Sequence, residues 1–174
     1  MKIFVLIKQV AAQGSVVKID GDGRWVEETN LVFTANESDN YALEEALLMK
    51  EAHGGEVVVC TLGPERARQV VKDALAKGAD RAIFFRDDQF ADLDSNALGE
   101  VFARILREEE FDLILSGLQA DDTGEAELGP ILAQKLNLPH VTMVVETELP
   151  DGVIKVKQEL EGGWFRFVEA DLPA

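Results

Sequence analysis

The segment FDLILSGLQADDTGEAELGP, Phe111–Pro130, decides how the chain is read. A short apolar run, Leu113 to Leu115, gives way to a turn at Ser116 and Gly117. Small or polar residues follow, Leu118 aside, until a helical pattern begins. Open α/β sheets place ligands at such strand, loop and helix starts. Proline is tolerated only in the first helical turn, where its missing N–H has no partner anyway. Pro130 therefore predicts that the helix begins near Glu125 and Ala126. The N–H groups of Ala126, Glu127, Leu128 and Gly129 then point back into the loop, which suits an anion such as phosphate. The same residues equally allow a plain loop on a plain helix, since this unit recurs throughout α/β folds.

Working outward, three more continuous apolar runs read as buried parallel strands: KIFVLIK (Lys2–Lys8), EVVVCTL (Glu56–Leu62) and DRAIFF (Asp80–Phe85). Helical patterns alternate with them. NESDNYALEEALLMKEAHGG opens with Asn36 or Ser38 as cap and closes at Gly54 and Gly55; ERARQVVKDALAKG closes at Gly78. Asp94 or Ser95 caps ALGEVFARILREEE. A hairpin is expected around Asp20-Gly21-Asp22-Gly23, and LVFT (Leu31–Thr34) reads as a short extended piece. After ILAQKLN, the segments VTMVVETEL, VIKVKQEL and WFRFVEA, with a turn at Asp151-Gly152, read as antiparallel strands. The expected fold is α/β: a three-layer α/β/α sandwich with a mostly parallel sheet and antiparallel strands at the C-terminal end. Residues 1–174 read as one domain, without linker, repeat or low-complexity segment. Leu172-Pro173-Ala174 closes no predicted element, so a missing C-terminal segment is expected.

The formal net charge of −16 and a pI near 4.4 argue against binding nucleic acid or an anionic membrane surface through bulk charge. Any phosphate must rely on local donors, while an acidic face can steer a basic partner. The single cysteine, Cys60, reads as a small buried hydrophobe. One cysteine forms no disulfide framework, which fits a reducing, cytoplasmic location. No apolar run reaches the length of a membrane span.

Catalytic signatures fail one by one. Asp20 and Asp22 begin a calcium-loop pattern that Arg24 breaks. The aspartates of DDQFADLDSN read as a solvated loop rather than a metal site. His53 suits a helix C-terminus, His140 precedes a strand, and G-x-S-x-G is absent. Gly124 and Gly129 have Walker A spacing, but Pro130 and Ile131 replace its Lys and Ser/Thr. What remains is a cleft where Ile7-Lys8, Thr61-Leu62-Gly63 and Ser116-Gly117 end their strands near Asn36. Such an edge fits binding a nucleotide without turning it over.

The run NESDNYALEEALLMKE resembles the N-P-x-D-x-x-A-L-E-E-A-x-x-L-K-E signature of electron-transfer flavoprotein β subunits. The resemblance continues through TLGPERA, ALAKGADRAI, FDLILSGLQADD, GPILAQKLNLPH and ELEGG. It implies a non-enzymatic electron carrier paired with an α subunit that holds most of the FAD site. The β subunit holds AMP, or a second FAD in bifurcating members. Electrons pass from acyl-CoA or other flavin dehydrogenases to a quinone oxidoreductase or another acceptor. By position, the resemblance assigns nucleotide contacts to Leu6, to Asn36, Glu37, Ser38 and Asp39, and to Leu62 with Gly63 beside it. In the loop it assigns Gly117, Leu118, Gln119, Ala120, Asp121 and Asp122, then Thr123, Gly124, Glu125, Ala126, Glu127 and Leu128. This chain departs from the family where Gly124-Glu125-Ala126-Glu127-Leu128 replaces the usual Asp-Thr-Ala-Gln-Val or Asn-Gln-Thr. Glu125 and Glu127 either favour the helix N-terminus or repel a phosphate by about 1 kcal/mol or more. The departure also weighs against the bifurcating form. Family members continue with a further strand, a partner-recognition loop with an anchor leucine and a C-terminal arm, none of which lies in these 174 residues. Without those, self-association is expected to compete with pairing. The alternative is a stand-alone adenine-nucleotide module, but its G-x-x-G and Gly-Ser/Thr loop is not found, nor is the S-G-G-x-D-S loop of adenylating relatives.

Overall fold

The computed structural model describes every residue except Asp151, and every side chain but those of Ala91 and Asp92 as well. The Asp151 half of the predicted Asp151-Gly152 turn therefore lies outside the described residues.

Four parallel strands form the central sheet: β1 (Lys2–Leu6), β4 (Glu56–Gly63), β5 (Arg81–Arg86) and β6 (Leu113–Ser116), in the order β5-β4-β1-β6. Successive side chains of a strand alternate between faces. On β1, Ile3 and Val5 face one way, packing with Val57 and Val59 of β4. They meet Leu43, Ala46 and Met49 of α1 (Glu37–His53) and Val70 and Ala74 of α2 (Arg68–Lys77). Phe4 and Leu6 face the other way and join Val58 and Cys60. That layer is closed by Phe102, Ala103 and Leu106 of α3 (Ser95–Arg107) and Leu132 of α4 (Leu128–Leu136). The α/β/α sandwich read from the sequence is thus present, and both faces of the parallel sheet are covered, which explains its unbroken apolar strands.

The C-terminal strands β7 (Val144–Glu148), β8 (Val153–Glu159) and β9 (Phe165–Asp171) form a separate antiparallel sheet in sequence order. Ile154 and Val156 of β8 pack into the α1 face of the core. The predicted strand from Val141 begins only at Val144, since Met143 has φ 56° and a register shift follows between Val144 and Glu146.

Three other segments depart from expectation. The first strand is shorter than the run Lys2–Lys8: β1 stops at Leu6, and β2 (Gln9–Ala11), beyond that run, pairs with β3 (Phe33–Ala35). The hairpin around Asp20–Gly23 is reduced to one bridge, Ile19 with Val26, because its side chains find no layer to pack on; Val16, Val17 and Ile19 are exposed. The chain's last residue does join an element. Ala174 N–H donates to Asp112 O (3.1 Å) and Ile114 N–H donates to Ala174 O (2.9 Å), which lays it along the β6 edge. Among the described residues, no helix is long and apolar enough to cross a membrane.

Candidate functional site

In the strand order β4-β1-β6, the C-terminal ends of all three strands come to one edge, with the start of α1 above them. Asp39, in the first turn of α1, ties that edge together. Its Oδ2 accepts from Lys8 N–H at 2.7 Å, just beyond β1, and its Oδ1 accepts from Gly117 N–H at 3.0 Å, just beyond β6. Asn36 extends the clamp. Its Nδ2 donates to Gln119 O (2.8 Å) and to Ser38 Oγ (2.9 Å), while its Oδ1 accepts from Asp121 N–H (2.9 Å). Ser38 Oγ also donates to Gln119 O (3.0 Å). Lys8 Nζ pairs with Asp122 at 2.7 Å. Asn36 does occupy the N-cap position of α1, but its side chain caps nothing in that helix. The loop after β6 takes it instead, and Glu37 N–H meets Asp121 Oδ2 at 3.3 Å.

Gly117 fits because it lacks a side chain. A Cβ there would lie 2.7 Å from the Asp39 backbone nitrogen, and closer still to Asp39 Oδ1 and Ser38 Oγ. Beyond the clamp the loop closes on itself: Gly124 N–H donates to Ala120 O at 2.7 Å, with Gly124 at φ 70°. Helix α4 then begins at Leu128, not near Glu125 as Pro130 suggested. Pro130 is accordingly the third helical residue, still within the turn that needs no N–H from it. Among the described residues, none accepts a hydrogen bond from the N–H groups of Ala126, Glu127, Leu128 or Gly129.

The predicted residues thus fall into three groups. Asn36, Glu37, Ser38 and Asp39 are bonded directly to the Gly117–Asp122 loop. Leu6 ends β1 beside them, while Leu62 and Gly63 end β4 one strand away at the same edge. Thr123 to Leu128 form the outer rim. Leu6, Gly117, Leu118 and Ala126 also line a cavity of about 330 Å³ that runs along the β6 edge toward Met143 and Val156. That size is at the lower end for small-molecule pockets. Glu125 and Glu127 do not line it. Lys8 stands at the strand edge where the cleft was expected, and its side chain adds an ion pair with Asp122, while Ser95 is an addition to the site. Of the two cap candidates for α3, Asp94 and Ser95, Asp94 takes the role, accepting from Ala97 N–H at 2.8 Å. That leaves the Ser95 hydroxyl free to donate to Glu125 Oε2 at 2.6 Å.

Burial pushes the Asp39 carboxyl up from 3.8 to about 6, against the opposing pull of the Lys8 and Gly117 N–H groups. The native state therefore holds a proton that the unfolded chain releases between about pH 4 and pH 6. Stability from this group falls as pH rises through that window, by up to ~3 kcal/mol. Glu109 at the opposite end of the sheet acts with the opposite sign. Arg81 and Lys2 hold its carboxyl down at about 2, so its contribution is lost only as pH falls. Urea unfolding of wild type and Asp39→Asn across about pH 4 to 7 separates the two. The variant is expected to lack the decline between about pH 4 and 6; parallel profiles for both proteins would refute the assignment.

Among the described residues, no group of three or more His, Cys, Asp or Glu side chains is placed to hold a metal ion. The site offers backbone donors, buried amide and carboxylate groups and an apolar wall, which suits holding a ligand.

A family model, the electron transfer flavoprotein domain, matches residues 24–174. The electron transfer flavoprotein subunit beta of Methylophilus methylotrophus is 36% identical over 178 aligned residues, covering 100% of this chain and 67% of that protein. Its namesake from Thermoanaerobacterium thermosaccharolyticum is 34% identical, covering 99% and 66%. A subunit of the caffeyl-CoA reductase–Etf complex of Acetobacterium woodii is 35% identical, covering 99% and 66%. The chain spans about two thirds of the length of these relatives.

Proposed function

The chain belongs to the electron transfer flavoprotein β-subunit family, and on that premise we propose that it is the AMP-holding subunit of a two-subunit electron carrier. The observation that carries this reading is the clamp of Asp39 and Asn36. It fastens the loop after β6 to the start of α1 and to the end of β1, and the N–H groups of Ala126 to Gly129 are without acceptors among the described residues. Those donors fit a phosphate in kind. The remaining contacts proposed for the nucleotide are Leu6, Leu62 with Gly63, Asn36 to Asp39 and Gly117 to Thr123.

The partner in this reading is an α subunit that contributes most of the FAD site, and FAD supplies the redox chemistry when bound. Acyl-CoA or other flavin dehydrogenases supply electrons, and a quinone oxidoreductase or another acceptor takes them. The chain itself makes and breaks no bonds, and its proposed location is the cytoplasm. Trp164 just before β9 and Phe167 on it, 72% and 77% exposed, offer apolar surface for a partner.

Co-expression with a family α subunit tests the proposal. The expected product is a yellow heterodimer that releases AMP on denaturation. A colourless homo-oligomer that binds AMP or ATP alone would instead favour a stand-alone nucleotide module.

A further inference from the structure

We infer that Ser95 is a positioning residue for the nucleotide loop, holding the Glu125 carboxylate away from the donors that would receive a phosphate. This inference rests on the AMP reading given above. Glu125 lies just before the run of acceptor-free N–H groups at Ala126 to Gly129. A loose carboxylate there is an anion tethered to the chain, and the positive end of α4 attracts it as it would a phosphate. It would occupy the same donors and repel a second negative charge.

The fold prevents this in a specific way. Asp94 and Ser95 are adjacent, and both are suited to cap α3. Asp94 does so through Ala97 N–H. Ser95, only 6% exposed, is left to donate its hydroxyl proton to Glu125 Oε2 at 2.6 Å. The turn closed by Gly124 N–H on Ala120 O sets the direction in which Glu125 leaves the loop. Glu125 does not line the cavity, whereas its neighbour Ala126 does. The captured carboxylate also sits at the N-terminus of α3, where negative charge is favourable.

Calorimetric titration of the full chain with AMP and with adenosine tests this, using wild type, Ser95→Ala, Glu125→Gln and the double variant. Ser95→Ala is expected to weaken AMP about five- to tenfold and to leave adenosine within about twofold, because only AMP carries the competing charge. Glu125→Gln in the Ser95→Ala background is expected to restore AMP affinity. Equal AMP affinity in wild type and Ser95→Ala would overturn the inference and leave the AMP reading standing. Parallel loss of AMP and adenosine without rescue would mark Ser95 as merely structural and overturn it too. Wild type that binds neither compound would overturn the AMP reading and this inference with it.

Discussion

Gly117→Ala is expected to lower AMP affinity at least about tenfold and to cost about 2–3 kcal/mol of stability. The cause is local. The new methyl group would meet the Asp39 backbone nitrogen at 2.7 Å, together with Asp39 Oδ1 and Ser38 Oγ. A flexible side chain can swing aside; the first turn of α1 cannot do so cheaply. Relief requires moving the loop, and that breaks the Gly117 N–H bond to Asp39. Gln119 O and Asp121 N–H then lose their register with Asn36. Thermal unfolding and AMP titration measure the two effects. If affinity is unchanged while stability falls, the nucleotide does not depend on this loop, and the proposed site is wrong.

Phe4→Ala is expected to be the more destabilising change, by about 3–5 kcal/mol, with Tm lower by roughly 10 °C. Phe4 is fully buried in the central strand, between Val58 of β4 and Ile114 of β6. Its ring meets Phe111 edge to face, with centroids 6.1 Å apart. No neighbour can fill the resulting cavity without disturbing both adjoining strands. The clamp at the sheet edge is made by other residues, so AMP affinity measured on folded protein at low temperature is expected to stay within about twofold of wild type. Urea unfolding provides the stability change. A loss under about 1 kcal/mol would mean that this layer collapses freely around the gap.

The two substitutions differ in how far the sequence foretold them. Phe4 stands in an apolar run that any reading places in a buried strand. Gly117 was legible as a turn residue, but nothing local announces that Asp39, far along the chain, closes over it. Asn36 is the clearest case. Its position before ESDNY reads as a helix cap, and it does stand at the N-cap. Its amide nevertheless bonds Gln119 and Asp121, because the folded sheet brings that loop within reach. Pro130 misled by a few residues for a related reason. It bounds where a helix can begin, yet the turn from Ala120 to Gly124 decides where it does begin.

The sequence by itself determined the layered α/β plan, the parallel strands, the antiparallel end and the family, because apolar periodicity and contiguous motifs are local properties of the chain. Only the tertiary structure decided which partner each polar side chain takes. Asp39 joins two strand ends, Asn36 bonds a remote loop as well as Ser38 of its own helix, and Glu125 turns to Ser95 rather than to the donors beside it. Those choices depend on distances between residues remote in sequence, and on which donors remain unpaired once the backbone is in place.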